Sequence, residues 1–214
     1  MNKAFIFDMD GVLVDTENAW ESVETLMLER FYGKEVAAAI GDTIGLGIEG
    51  VHRRAVTAGS TVSRENLAKA YEEAAMRVYD VAPLTGGVDK LVEKLLVMGF
   101  RLGIVSQSPK TWMDRVVPRL SFREHIQSVI SLHQRTDLKP KPAPDGFLEA
   151  LRMLDADASH SIILEDSNLG IESAKASGAF VIGFRGCLVK GYEQTGADIY
   201  ADTMEGVGEI VTRQ

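Results

Sequence analysis

Asp8 and Asp10 stand two positions apart, directly after the apolar run Ala4-Phe5-Ile6-Phe7 and directly before Gly11. Far along the chain Glu165 and Asp166 follow a second apolar run, Ile162-Ile163-Leu164. Between them, Ser106, Gln107 and Ser108 follow Arg101–Val105, and Lys141 sits in the proline-rich stretch Lys139-Pro140-Lys141-Pro142-Ala143-Pro144-Asp145. Carboxylates brought together repel one another unless a cation sits among them. Mg²⁺ is a hard ion that takes oxygen ligands and keeps some of its waters. Asp8 and Asp166, with the Asp10 backbone carbonyl or a water and with Glu165 alongside, make a candidate metal set. Ser106, Gln107 and Lys141 offer donors and a positive charge to a bound anion. Such a site suits phosphoryl transfer. One carboxylate attacks phosphorus and forms an aspartyl-phosphate. Cations neutralise the transferring oxygens. A second carboxylate two positions on protonates the leaving oxygen and later activates water.

For this to work, distant segments must meet at one edge. The pattern supplies a reason. Segments 4–7, 101–106, 129–131, 161–164 and 179–184 read as strands, and Val88–Met98, 111–119, 145–154 and 169–177 read as helices between them. That alternation predicts a parallel sheet covered on both faces. In such doubly wound sheets ligands bind beyond the carboxyl ends of the strands, where the residues named above fall. Residues 16–82 differ: they carry helical spacing (Trp20, Val23, Leu26, Met27; Leu67, Tyr71, Ala74, Ala75, Val78) and no strand pattern. The expected organisation is an α/β core of residues 1–15 and 83–214, with an all-helical insert at 16–82.

Composition narrows the partners. The chain has 214 residues, 23 Lys+Arg against 31 Asp+Glu, and a formal charge of −8. A net acidic chain is poorly suited to nucleic acid or an anionic membrane, which reward clustered Lys and Arg. Its single cysteine, Cys187, allows no intrachain disulfide and fits a reducing cytosol. No apolar stretch approaches the ~18 residues of a membrane span, and the N-terminal apolar run is too short for a signal-peptide core. The expectation is a cytoplasmic protein with a small-molecule substrate, a monomer by default with a homo-oligomer left open.

Each residue also has a plainer reading. Asp8 and Asp10 fit a turn with a cap. Lys141 fits a solvated surface lysine, and Ser106 the ordinary end of a strand. Glu165 is either a ligand or a residue that orients one. Their recurrence in order, each after a predicted strand, favours the chemical reading. Gly45-Leu46-Gly47-Ile48-Glu49-Gly50 matches a dinucleotide fingerprint, but no strand precedes it, so a loop between helices explains its glycines. His52, His125, His133 and His160 show no metal-ligand spacing, and Cys187 is assigned no reactivity.

The segment Asp8-Met9-Asp10-Gly11-Val12-Leu13-Val14-Asp15-Thr16-Glu17 resembles the first signature of the haloacid dehalogenase superfamily. Ser106, Lys141-Pro142-Ala143-Pro144-Asp145 and Glu165-Asp166-Ser167-Asn168-Leu169-Gly170 resemble the second, third and fourth, in order, and the likeness runs from Asn2 to about Asp202. The resemblance implies a Rossmann-like core and a Mg²⁺-dependent phosphatase. Asp8 would be its nucleophile, Asp10 its acid/base, Ser106 and Lys141 its phosphate binders, and Asp166 a metal ligand with Glu165 beside it. It also implies that residues 16–82 form the helical cap of the β-phosphoglucomutase-like subfamily, which closes over the site and chooses the substrate. The substrate would be a small phosphorylated metabolite such as a sugar phosphate. The acid at position 10 favours phosphate chemistry over dehalogenation. Pro140 stands where a glycine often precedes the lysine. Ile48 and Trp20 stand where the mutases carry a cap arginine and a histidine. These departures favour a phosphatase over a phosphosugar mutase. A non-catalytic metal- or phosphate-binding module is the remaining alternative.

Overall fold

The structure is a computed structural model that describes residues 2–41, 43 and 47–214, with backbone only at Glu17, Glu21, Ser22, Gly47 and Glu49. The chain divides into two compact units, Met1–Glu17 with Pro83–Gln214, and Asn18–Ala82.

The first unit is an α/β sheet structure. Its strands are β1 (Lys3–Phe7), β2 (Phe100–Ser106), β3 (Ile126–Ser131), β4 (Ile162–Glu165), β5 (Phe180–Phe184) and β6 (Ile199–Ala201), in the order β3-β2-β1-β4-β5-β6. Every pairing is parallel. Ala4, Phe5, Ile6 and Phe7 are all buried, as a central parallel strand with both faces covered requires. The helices of this unit are α5 (Val88–Val97), α6 (Lys110–Val116), α7 (Asp145–Met153), α8 (Asn168–Ala176) and α9 (Met204–Arg213). One sheet face packs on α7 and α8 through Ile6, Val105, Ile163, Phe147, Leu151 and Ile171. The chain leaves β1 towards β2 and β3 and returns to β4 on the other side. The order therefore reverses at β1, and the crevice at its carboxyl end is the natural binding place.

The second unit is helical: α1 (Thr16–Tyr32, whose first residues belong to the sheet unit), α2 (Lys34–Ile40), α3 (Gly47–Thr57) and α4 (Arg64–Val81). Ser63 caps α4 by accepting the Asn66 N–H at 3.3 Å. Leu28, Ile40, Val51, Ala55 and Leu67 form its core.

Several boundaries differ from the sequence reading. The helix expected over 111–119 ends at Val116 and tightens into a 3₁₀ turn, because Pro118 has no N–H to continue it. Leu26, one of the apolar residues at helical spacing, is 68% exposed, and the buried apolar residue of α1 among the described residues is Leu28. Strand β6 and helix α9 were not anticipated. A three-residue strand is too short to show a period, and Gly206 and Gly208 dilute the helical signal of α9. Of the glycine-rich match at 45–50, Gly45 and Leu46 lie outside the described residues, and helix α3 starts at Gly47.

Candidate active site

Asp8 is the first residue beyond β1. Its N–H continues the ladder to the Leu164 carbonyl at 2.9 Å. Its side chain is buried, and Oδ1 accepts a hydrogen bond from Lys141 Nζ at 2.5 Å. The same ammonium donates to Glu165 Oε1 and lies 5.2 Å from the centre of the Phe147 ring. Lys141 is therefore no surface lysine. Its side chain is 4% exposed, and it bridges two carboxylates from neighbouring strand ends.

Glu165 lies within a strand rather than in the loop after it. The sequence placed it beside Asp166 in the metal set, but β4 runs one residue further than expected and Glu165 is its last residue. Asp166 lies just beyond the strand, and the two side chains have different neighbours, Gly170 beside Glu165 and Gly11 beside Asp166. Glu165 is fully buried. Its Oε1 takes Lys141, and its Oε2 takes the N–H and hydroxyl of Ser167 at 3.1 and 3.0 Å. The space it fills is left by Gly170, where an added Cβ would lie 1.9 Å from Oε1.

Asp10 has different company. Its Oδ2 accepts from Ser106 Oγ at 3.2 Å and Ser108 Oγ at 2.6 Å, and its Oδ1 from Thr16 Oγ1 at 3.1 Å. Ser131 Oγ in turn holds the Ser108 carbonyl at 2.7 Å. Gln107 is exposed and makes no hydrogen bond to the cluster among the described residues. Ser108 is the residue that joins Ser106 there. Ser108 and Thr16 went unassigned in the sequence. Their only signal was a hydroxyl close in sequence to Ser106 and to Asp10.

Asp166 reaches back to the first loop. An added Cβ on Gly11, whose φ is +69°, would lie 2.0 Å from Asp166 Oδ2. Glycine at 11 both allows the turn and leaves room for that carboxylate beside the loop carrying Asp8 and Asp10.

The electrostatics favour a cation here. Burial pushes the Asp8 carboxyl well above its usual range. Lys141 opposes this, while Glu165 and Asp10 add to it. Burial pulls on the Lys141 ammonium, but Asp8 and Glu165 outweigh it and hold its pKa above the ordinary lysine value. One amine among these carboxylates leaves excess negative charge. Among the described residues no group of three or more His, Cys, Asp and Glu forms a ready-made metal centre. Two carboxylates, Asp8 and Asp166, with backbone and water oxygens nonetheless fit Mg²⁺, which is commonly held by one or two carboxylates plus substrate phosphate. Cys187 is buried against Thr85, with Sγ 3.7 Å from Oγ1, and burial raises its pKa. His52 is engaged locally with the Val62 carbonyl at 3.1 Å.

A parallel sheet whose reversal point gathers acidic side chains, hydroxyls and one buried amine defines a class of doubly wound hydrolases. A profile described as haloacid dehalogenase-like hydrolase matches residues 5–184, and the chain belongs to that family. Hexitol phosphatase B of Escherichia coli (strain K12) is 28% identical over 180 residues, covering 81% of this chain and 79% of that protein. β-Phosphoglucomutase of Bacillus subtilis (strain 168) is 26% identical over 211 residues, covering 92% and 88%. The crystal structure of a conserved haloacid dehalogenase-like protein from Agrobacterium tumefaciens superposes with a TM-score of 0.78 at 24% identity, covering 100% of this chain and 99% of that one. Among the described residues no helix is long and apolar enough to cross a membrane.

Proposed function

We propose that this chain is a Mg²⁺-dependent phosphomonoesterase that acts on a small phosphorylated metabolite, a sugar or polyol phosphate, through a phospho-aspartate. The observation that carries the reading is the unlike setting of two carboxylates two positions apart. Asp8 is held by the Lys141 ammonium and Asp10 by a ring of hydroxyls. Divergent settings assign divergent roles.

An Asp8 carboxylate oxygen attacks phosphorus, and the phosphorus–ester oxygen bond breaks. Asp10 gives its proton to the leaving alkoxide. Asp10, now a carboxylate, takes a proton from water. The water oxygen bonds to phosphorus and the Asp8–phosphorus bond breaks, which releases inorganic phosphate. Mg²⁺, held by Asp8, Asp166 and the Asp10 carbonyl, supplies charge neutralisation at the phosphoryl oxygens. Lys141 adds a fixed positive charge, and Ser106 a hydroxyl donor. The helical unit serves as the cap that selects the substrate. The relative named hexitol phosphatase supports a polyol or sugar phosphate. The compartment proposed is the cytoplasm.

Hydrolysis of p-nitrophenyl phosphate with and without Mg²⁺ tests the reading. Asp8→Asn is expected to lower kcat by about 10⁴-fold or more; equal rates for parent and variant would end it. The relative named β-phosphoglucomutase favours a second reading, a phosphosugar mutase with the same first half-reaction. A sugar monophosphate with a trace of bisphosphate separates them. Release of inorganic phosphate supports the phosphatase, and isomerisation without release supports the mutase.

A further inference from the structure

The segment between β5 and β6 takes no part in the reaction above, yet it is fastened to the turn that carries Asp166. Tyr192 Oη accepts the Asn168 N–H at 2.8 Å, Asn168 Nδ2 donates to the Glu193 carbonyl at 3.0 Å, and the Thr195 N–H donates to Asn168 Oδ1 at 2.8 Å. Inside this collar lies Gln194, 6% exposed. Its Nε2 donates to the Asp166 carbonyl at 2.7 Å, the Phe184 carbonyl at 3.1 Å and the Glu165 carbonyl at 3.3 Å. Its Oε1 is buried without a hydrogen-bond partner among the described residues. Turning the amide over would set Oε1 against three carbonyl oxygens, so the orientation is determined.

The Glu165 carbonyl belongs to the peptide plane before the Asp166 Cα, and the Asp166 carbonyl to the plane after it. One amide therefore pins both planes, and with them the two backbone dihedrals that aim the Asp166 Cα–Cβ bond. The carboxylate at the end of that bond must lie beside Gly11, where only a glycine leaves room. A buried acceptor without a partner is costly. An apolar side chain of the same size would avoid that cost and lose only the Nε2 contacts.

We infer that Gln194 is a positioning residue for the metal-binding carboxylate of Asp166, acting through the backbone on either side of it. This rests on the reading of Asp166 as a Mg²⁺ ligand. Outer residues that orient metal ligands typically change affinity by about 10–100-fold when removed.

The test measures Mn²⁺ binding by electron paramagnetic resonance on the full chain, for the parent, Gln194→Leu, Gln194→Met and Asp166→Asn. Folding of each is checked by circular dichroism, and Met serves if Leu does not fold. The expected result is an Mn²⁺ Kd raised about tenfold or more in the Gln194 variants. The Mg²⁺ concentration for half-maximal hydrolysis should rise in parallel, and kcat at saturating Mg²⁺ should return to within about threefold of the parent. A merely structural role would lower the melting temperature and leave the Kd of the folded protein unmoved. A Kd within about twofold of the parent in folded Gln194 variants, with Asp166→Asn weakened, overturns this inference alone. A parent that binds no Mn²⁺, or an Asp166→Asn variant that binds as tightly as the parent, overturns the metal reading and this inference with it.

Discussion

The two units of this chain treat polar groups in opposite ways. Among the described residues, every buried polar or charged side chain lies in the sheet unit: Asp8, Ser106, Lys141, Glu165 and Gln194 with several serines and Thr16. The helical unit buries only apolar and aromatic side chains. Its polar network, Glu24 with Tyr71 and Thr43, stays half-buried. Burying a charge is costly unless partners surround it in fixed geometry. A doubly covered parallel sheet offers that rigidity, because adjacent strand ends are held in register by the ladder. A small helical core, built on Leu28, Val51 and Leu67, does not need it.

The sharpest way to break this comparison is to remove the amine. Lys141→Met leaves Asp8 and Glu165 buried and unpaired, and should cost about 3–5 kcal/mol of stability in urea unfolding. It should also lower kcat by about 10²–10³-fold. Adding Glu165→Gln should return part of the stability and none of the activity. Recovery of activity would show that Lys141 serves only the fold. Cutting apolar side chains should rank the two cores. Phe147→Ala, at the centre of the sheet-face cluster and beside Lys141, is expected to cost about 3–5 kcal/mol. Leu67→Ala in the smaller helical core, which can relax, should fall near the low end of its range at about 2 kcal/mol. Equal losses would argue that both cores are equally rigid.

The smallest effect concerns pH. Burial, then the hydrogen bond to Glu24, raises the Tyr71 pKa above the usual tyrosine value. A raised acid contributes stability that is present in full below its unfolded pKa and is lost as pH rises through the folded one. The helical unit should therefore keep this contribution up to about pH 10 and lose it above. Ultraviolet titration should show Tyr71 ionising well after the exposed tyrosines, and Tyr71→Phe should remove one late-ionising group. A single common midpoint for all tyrosines would contradict it.

Much of the site was readable in advance because its chemistry is concentrated at strand ends. An apolar run followed by carboxylates marks both a buried strand and what its tip presents. Asp8, Asp10, Ser106, Lys141 and Asp166 are nominated this way. The misses have a common cause. Ser108 and Gln194 bond to Asp10 and to the Glu165 and Asp166 carbonyls far along the chain, and Thr16 bonds to Asp10 six residues away, where a hydroxyl alone is a weak signal. Gln107 is exposed, and adjacency to Ser106 carries no information on where a side chain points.

Residue order alone determined the alternation of strand and helix and nominated the candidate reacting groups, since these follow from local periodicity and side-chain chemistry. Only the tertiary structure decided that Glu165 faces the lysine while Asp166 faces Gly11. β4 continues through Glu165 because that residue pairs with Gly183 of β5, a long-range contact that no local preference sets.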